Sequence, residues 1–144
     1  MTKFTDITLP EPILRAAKDL NYEIPTPIQA EVIPWLLDND RDLIALAQTG
    51  TGKTAAFGFP VLSQTDVTLN QVQSIILCPT REIALQTHEA IEKIGSPLGV
   101  HSLVIIGGKS MQPQIQGLRD EPAFIVATPG RLVDHIERRN VNLK

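Results

Sequence analysis

An apolar run, Asp42-Leu43-Ile44-Ala45-Leu46, leads into Ala47-Gln48-Thr49-Gly50-Thr51-Gly52-Lys53-Thr54, and a helical pattern follows. Few segments restrict a fold so tightly. Glycines at Gly50 and Gly52 let the backbone curl until successive N–H groups converge, and such a nest at a helix N-terminus suits phosphate oxygens. Lys53 then stands where it would reach the β- and γ-phosphates, and the Thr54 hydroxyl where it would ligate Mg²⁺. The plain alternative is a glycine-rich turn between strand and helix. That alternative has no use for the Lys-Thr ending. Ala47 stands where the strict pattern has Gly.

A phosphate loop of this kind needs a strand before it and a sheet around it. Three further apolar runs supply candidates: Ser74–Cys78, Ser102–Ile106 and Ala123–Ala127. All four runs are short, continuous and rich in β-branched residues, as strands buried on both faces are. Turn signals and helical patterns follow them. Ile83, Thr87, Ile91 and Ile94 share one helical face, and Met111, Ile115 and Leu118 another. The alternation predicts an α/β fold with a parallel sheet covered by helices. Two helices are expected earlier, over 11–20 and 27–37, the second ended or kinked at Pro34. A polar loop is expected over 64–73, and no internal domain boundary.

Composition narrows the function classes. The 144 residues carry 13 Lys+Arg against 16 Asp+Glu, net charge −3, so any nucleic-acid contact must be local rather than a general electrostatic attraction. At 42% hydrophobic the chain is too apolar for disorder, and it has no run long enough to span a membrane. The amino-terminal stretch Met1–Asp6 has no apolar signal-peptide core. Cys78 is the one cysteine, which agrees with a reducing, cytoplasmic setting, and it reads as a small buried hydrophobe. His88, His101 and His135 lack metal-ligand spacing and read as surface or packing residues.

Several weaker segments fall at helix starts. In Tyr22-Glu23-Ile24-Pro25-Thr26-Pro27-Ile28-Gln29, Thr26 and Gln29 occupy the N-cap and N3 of a capping box. The same residues suit a nucleobase clamp, with Tyr22 stacking and a carboxamide matched to the adenine edge. The two readings are compatible. Pro79-Thr80-Arg81, Gly107-Gly108 and Thr128-Pro129-Gly130-Arg131 all follow predicted strands, at the sheet edge where ligands sit in open α/β folds. Singly each is an ordinary cap or turn. Together they form a track able to grip a sugar–phosphate chain without reading bases.

In this order the segments resemble the amino-terminal part of the first RecA-like domain of a DEAD-box RNA helicase of superfamily 2. Phe4, Tyr22–Gln29, Ala47–Thr54, Pro79–Gln86, Gly107-Gly108 and Thr128–Arg131 match the upstream aromatic, the Q motif, and motifs I, Ia, GG and Ib. The resemblance covers essentially the whole chain, with the Q motif in residues 1–40 and motifs I to Ib in 41–144. It implies ATP and Mg²⁺ as cofactors, with binding by Tyr22, Thr26, Gln29, Gln48, Thr49, Gly50, Thr51, Gly52, Lys53 and Thr54, of which Lys53 and Thr54 serve catalysis. It implies sequence-independent RNA-backbone contacts from Pro79, Thr80, Arg81, Gly107, Gly108, Thr128, Pro129, Gly130 and Arg131. Asn21 stands where the Q motif often has Gly.

The family's Asp-Glu-Ala-Asp, due on the strand after motif Ib, is not among these residues. Asp120-Glu121-Pro122-Ala123 is a decoy at a strand start. Three readings follow: part of an RNA helicase, a non-catalytic nucleotide- or RNA-binding module, or another phosphate-loop enzyme such as a small kinase. The segments at Tyr22–Gln29 and Pro79–Gln86 disfavour the last. Without the motif II and III strands, the Leu43–Leu46 strand lacks its expected neighbours. The chain is then expected to exchange elements with a second copy, to rearrange its sheet, or to be one piece of a longer polypeptide. By itself it is expected to bind adenine nucleotide without turnover.

Overall fold

The computed structural model describes residues 2–144; Met1, within the amino-terminal stretch read above, lies outside the described residues. Three of the four apolar runs form strands: β1 (Ser74–Leu77), β2 (Ser102–Ile105) and β3 (Phe124–Ala127), all parallel, in the order β1-β3-β2. The middle strand is the most apolar and the most buried, with Phe124, Ile125, Val126 and Ala127 all at 0% exposure. Three helices alternate with the strands: α4 (Arg81–Gly95), α5 (Met111–Arg119) and α6 (Pro129–Glu137). From β1 the chain passes over β3's place to reach β2, then steps back to β3. Right-handed crossovers in opposite directions put the connecting helices on opposite faces. The core accordingly divides by the two-residue period of the central strand. Val126 packs with Cys78, Ala84 and Ile106, whereas Ile125 and Ala127 pack with Ile105, Leu118 and Leu132.

The fourth run corrects the expectation drawn from it. Residues 42–47 carry no regular structure, and Ile44 and Leu46 are each 90% exposed. β-Branched composition favours a strand only where another strand offers hydrogen bonds, and an unpaired strand leaves its backbone to water. The neighbours that the resemblance assigns to this run lie outside the sequence.

Packing gathers the chain into two compact units, Met1–Gln64 and Thr65–Lys144, the division falling at the start of the polar loop read over 64–73. The second holds the sheet. The first consists of a 3₁₀ turn at Phe4–Asp6 and the helices α1 (Glu11–Asp19), α2 (Pro27–Asp38) and α3 (Lys53–Ser63). Its core gathers Phe4, Ile13, Ala17, Val32, Ile33, Ala55, Phe59 and Leu62. Phe4, Tyr22 and Phe59 meet edge-to-face with centroids 5.2–5.5 Å apart. Pro34 neither ends nor visibly divides α2, which runs four residues past it. A proline there removes one hydrogen bond, and the burial of Val32 and Ile33 against the rest of the unit outweighs that loss.

Two smaller expectations also need correction. On α4 the buried face is Ala84, Thr87, Ile91 and Ile94, while Ile83 is 43% exposed in the first turn. On α5 the buried positions are Gln114 and Leu118, with Met111 and Ile115 only half-buried. A glutamine at the centre of a buried face is a departure that the apolar pattern does not signal.

Candidate functional site

The loop before α3 has the curl its glycines foretell. Gly50 and Gly52 sit at φ +76° and +83°, and Gly52 is the N-cap of α3, so the first amides of that helix open at the loop. Thr51 Oγ1 donates to the Gln48 carbonyl at 2.6 Å, and Lys53 Nζ donates to the Ala47 carbonyl at 2.8 Å. Lys53 thus folds across the loop with two of its three donors left for a ligand. Its side chain is exposed, and the Thr54 side chain beside it is half-buried.

The segment read both as a cap and as a nucleobase clamp is bonded to this loop. Gln29, only 2% exposed, accepts the Thr26 amide on Oε1 at 3.0 Å, the reciprocal half of a capping box. Its Nε2 donates to the Gly52 carbonyl at 3.2 Å, and Thr26 Oγ1 donates to the Thr51 carbonyl at 2.7 Å. A Cβ on residue 52 would overlap the Gln29 carboxamide, so Gly52 is required by its neighbour as well as by its φ. Tyr22 is half-buried. It is placed by a helix terminus of the Schellman type: the Tyr22 amide bonds to Ala17 O at 2.9 Å and the Asn21 amide to Lys18 O at 3.0 Å. That turn holds Asn21 at φ +62°, which explains why a glycine is at home there and why asparagine is tolerated.

At the carboxyl ends of the three strands, the other unit opens a cleft of about 540 Å³. Its walls are Pro79, Thr80 and Arg81 after β1, Gly107 after β2, and Thr128, Gly130 and Arg131 after β3, joined by Glu82 and Asp134. The structure therefore brings together seven of the nine residues of the expected track. Gly108 and Pro129 adjoin it. Thr80 caps α4, accepting the Ile83 amide at 3.3 Å, while Thr128 caps α6 by position only, with Pro129 at N1. Gly108, at φ +72°, lies so close to the Arg81 guanidinium that a Cβ would overlap it. The absence of a side chain at Gly108 thus leaves the space that the Arg81 guanidinium occupies. Across the cleft, Arg131 Nη1 donates to the Lys109 carbonyl at 3.0 Å. Arg131 is thereby bonded to the loop of residues 107–109, and the Arg81 guanidinium lies against the same loop.

The acidic residues temper the charge of the cleft. The Arg138 side chain donates to Asp134 Oδ1 at 2.8 Å, and this bond holds the Asp134 carboxyl below its ordinary range and raises Arg138. The Arg138-Arg139 pair is a solvated helix end, Arg139 being the left-handed residue that closes α6 at φ +58°. Asp120 and Glu121 sit in the turn ahead of β3, at its amino end and away from the cleft's edge of the sheet, as expected of a decoy. Cys78 is buried, its thiol 3.7 Å from Thr87 Oγ1. Among the described residues no group of three or more His, Cys, Asp or Glu is placed to hold a metal, and no helix is long and apolar enough to cross a membrane.

The sequence reading missed Gln114 and His135 as members of the site. Both are buried: Gln114 accepts from Arg131 and donates to the Ile106 carbonyl just ahead of the loop, and His135 is bonded to Gln114. The signal available was polarity at a buried helical position, four residues before Leu118.

Comparison with known proteins agrees with the geometry. The chain is 47% identical over 143 residues to the ATP-dependent RNA helicase DeaD of Klebsiella pneumoniae, covering 99% of this chain and 22% of that protein. To the DEAD-box ATP-dependent RNA helicase CshA of Bacillus cereus it is 45% identical over 144 residues, covering 27% of that protein. The chain thus spans about a quarter of the length of these relatives. Among solved structures, a DEAD box protein from Methanococcus jannaschii superposes with TM-score 0.92 at 38% identity, over 99% of this chain and 39% of that one. The RNA helicase Prp28 from Chaetomium thermophilum, solved bound to ADP, gives 0.87 at 42% identity, over 99% and 36%. These neighbours share the RecA-like α/β fold, of which this chain holds an incomplete, three-stranded sheet. With the DEAD/DEAH box helicase family model matching residues 26–144, the chain belongs to the DEAD/DEAH box helicases.

Proposed function

We propose that these residues are the ATP-binding and RNA-contacting part of an ATP-dependent RNA helicase that couples ATP hydrolysis to duplex unwinding. The observation that carries this reading is the bonding of Thr26 and Gln29 into the carbonyls of Thr51 and Gly52. A residue suited to adenine is held against a loop suited to its phosphates. Gln29 keeps one lone pair on Oε1 and one N–H on Nε2 beyond the bonds described, the acceptor–donor pair that an adenine edge needs. Tyr22, packed against Phe4 and Phe59, offers a ring for stacking. The amides from Gln48 to Thr54 receive the phosphates, and Lys53 places its charge on the outer two; Thr54 would supply a hydroxyl to Mg²⁺, an ion that would offset negative charge on the phosphates. The cleft with Arg81 and Arg131 takes the RNA backbone.

Hydrolysis also needs groups that orient the attacking water and stabilise the leaving charge. These 144 residues by themselves therefore bind adenine nucleotide weakly and do not turn it over. Calorimetry with ATP, ADP, AMP and GTP tests the reading. Lys53→Ala should weaken the di- and triphosphates most, and Gln29→Ala should erase the preference for adenine over guanine. Equal affinity of the unsubstituted chain for ATP and GTP would overturn the assignment, and RNA-stimulated phosphate release by the chain alone would overturn the claim of inactivity.

A further inference from the structure

The Gly107–Lys109 loop is held from beneath by a line of buried hydrogen bonds. Gln114 Nε2 donates to the Ile106 carbonyl at 2.9 Å, which fixes the carboxamide so that Oε1 faces α6. There Oε1 meets His135 Nε2 at 2.8 Å and Arg131 Nη1 at 3.4 Å. An amide oxygen only accepts, so His135 carries its proton on Nε2 and Nδ1 is the acceptor. The Asn140 side-chain amide donates to that Nδ1 at 3.2 Å. Asn140 is brought there by a Schellman-type turn, its backbone N–H bonding to the His135 carbonyl at 2.9 Å. His135 is fully buried and Gln114 6% exposed, and burial, with the charge on Arg131, keeps the imidazole below its ordinary pKa and hence neutral. Among the described residues no buried side-chain nitrogen or oxygen is left without a partner, and the orientations of Gln114 and His135 follow from one another.

We propose that Gln114 and His135 are positioning residues for RNA binding: they fix the Arg131 guanidinium and the Gly107–Lys109 loop in the pose that receives a phosphate of the RNA backbone. The inference rests on the reading of the cleft as an RNA site. Neither residue reaches the cleft surface; they act through Arg131, whose Nη1 donates to both Lys109 O and Gln114 Oε1. Its other N–H groups are then free of internal partners in that line and preset for an anion. An arginine left to rotate would lose side-chain entropy on each binding event, and a preset one does not.

Binding of a short fluorescein-labelled oligouridine to the full chain, followed by anisotropy from about 50 to 200 mM salt, tests this. Arg131→Ala should weaken binding and reduce the slope of log K against log salt by about 0.7, one phosphate contact to a single strand. Gln114→Met, of similar volume without the bonds, should weaken binding roughly three- to tenfold and reduce the slope in the same sense. His135→Phe should do likewise. In the Arg131→Ala background neither should add a further loss, because both act through that residue. Full additivity there, or unaltered binding by folded Gln114→Met and His135→Phe, overturns the inference. Should both variants fail to fold, ¹⁵N relaxation at Arg131 Nε in the unsubstituted chain decides it: a rigid guanidinium supports the proposal, and one rotating freely before RNA is added refutes it. If Arg81→Ala and Arg131→Ala leave RNA binding unchanged, the RNA reading of the cleft fails instead.

Discussion

Single residues here answer to two demands at once. Gly52 must adopt φ +83° and must leave room for the Gln29 carboxamide. An alanine would meet the strain of a left-handed backbone, about 1–2 kcal/mol, and would displace Gln29 as well. Gly52→Ala is therefore expected to lower stability by about 1–2 kcal/mol in urea denaturation and to weaken ATP binding more than it weakens free triphosphate binding, since the residue proposed to read adenine moves. Equal losses for both ligands would show that Gln29 stays in place. The glycine spacing of this loop was legible in the sequence because φ > 0 is a local demand. The contact with Gln29, twenty-three positions earlier, was not, because only folding brings the two together.

At the scale of elements, helix ends govern what the site presents. The terminus of α1 sets Asn21 in the left-handed region and so delivers Tyr22 to Phe4 and Phe59. Asn21→Gly should leave stability unchanged or raise it by up to about 1 kcal/mol, whereas Asn21→Val should cost about 1–2 kcal/mol, read from denaturation midpoints. A larger loss with Gly than with Val would contradict the turn described. The early helices were readable: α1 and α2 begin at Glu11 and Pro27, where the sequence pattern put them, α2 with the capping box read at Thr26 and Gln29. Where reading failed, the cause was packing. Pro34 sits within α2 because burial around it outweighs one lost hydrogen bond, and Gln114 is buried because partners on α6 and beyond β2 satisfy it.

Over the whole molecule, the segment from Asp42 to Ala47 stands out. Apolar from Leu43 onward, it has no strand structure, and Ile44 and Leu46 present nearly all their surface to water. Exposed apolar backbone of this sort is a template for pairing with another chain. The isolated chain is expected to associate as its concentration rises, and Ile44→Lys with Leu46→Lys to suppress that while altering unfolding stability by no more than about 0.5 kcal/mol per site. Sedimentation velocity across a concentration series measures it; a monomer at every concentration would contradict the expectation.

The sequence by itself determined the local chemistry: the glycine curl before Lys53 and Thr54, the proline-led helix starts, the three strands whose partners are present, and the order of motifs that places the chain in its family. Each is set by a residue's own backbone preference or by spacing within a few positions. Tertiary structure alone decided that Gly108 seats Arg81, that Gln114 and His135 underlie Arg131, and that one good strand sequence stays unpaired. Those outcomes depend on which distant groups meet, and hydrogen bonds and close packing are satisfied only when they do.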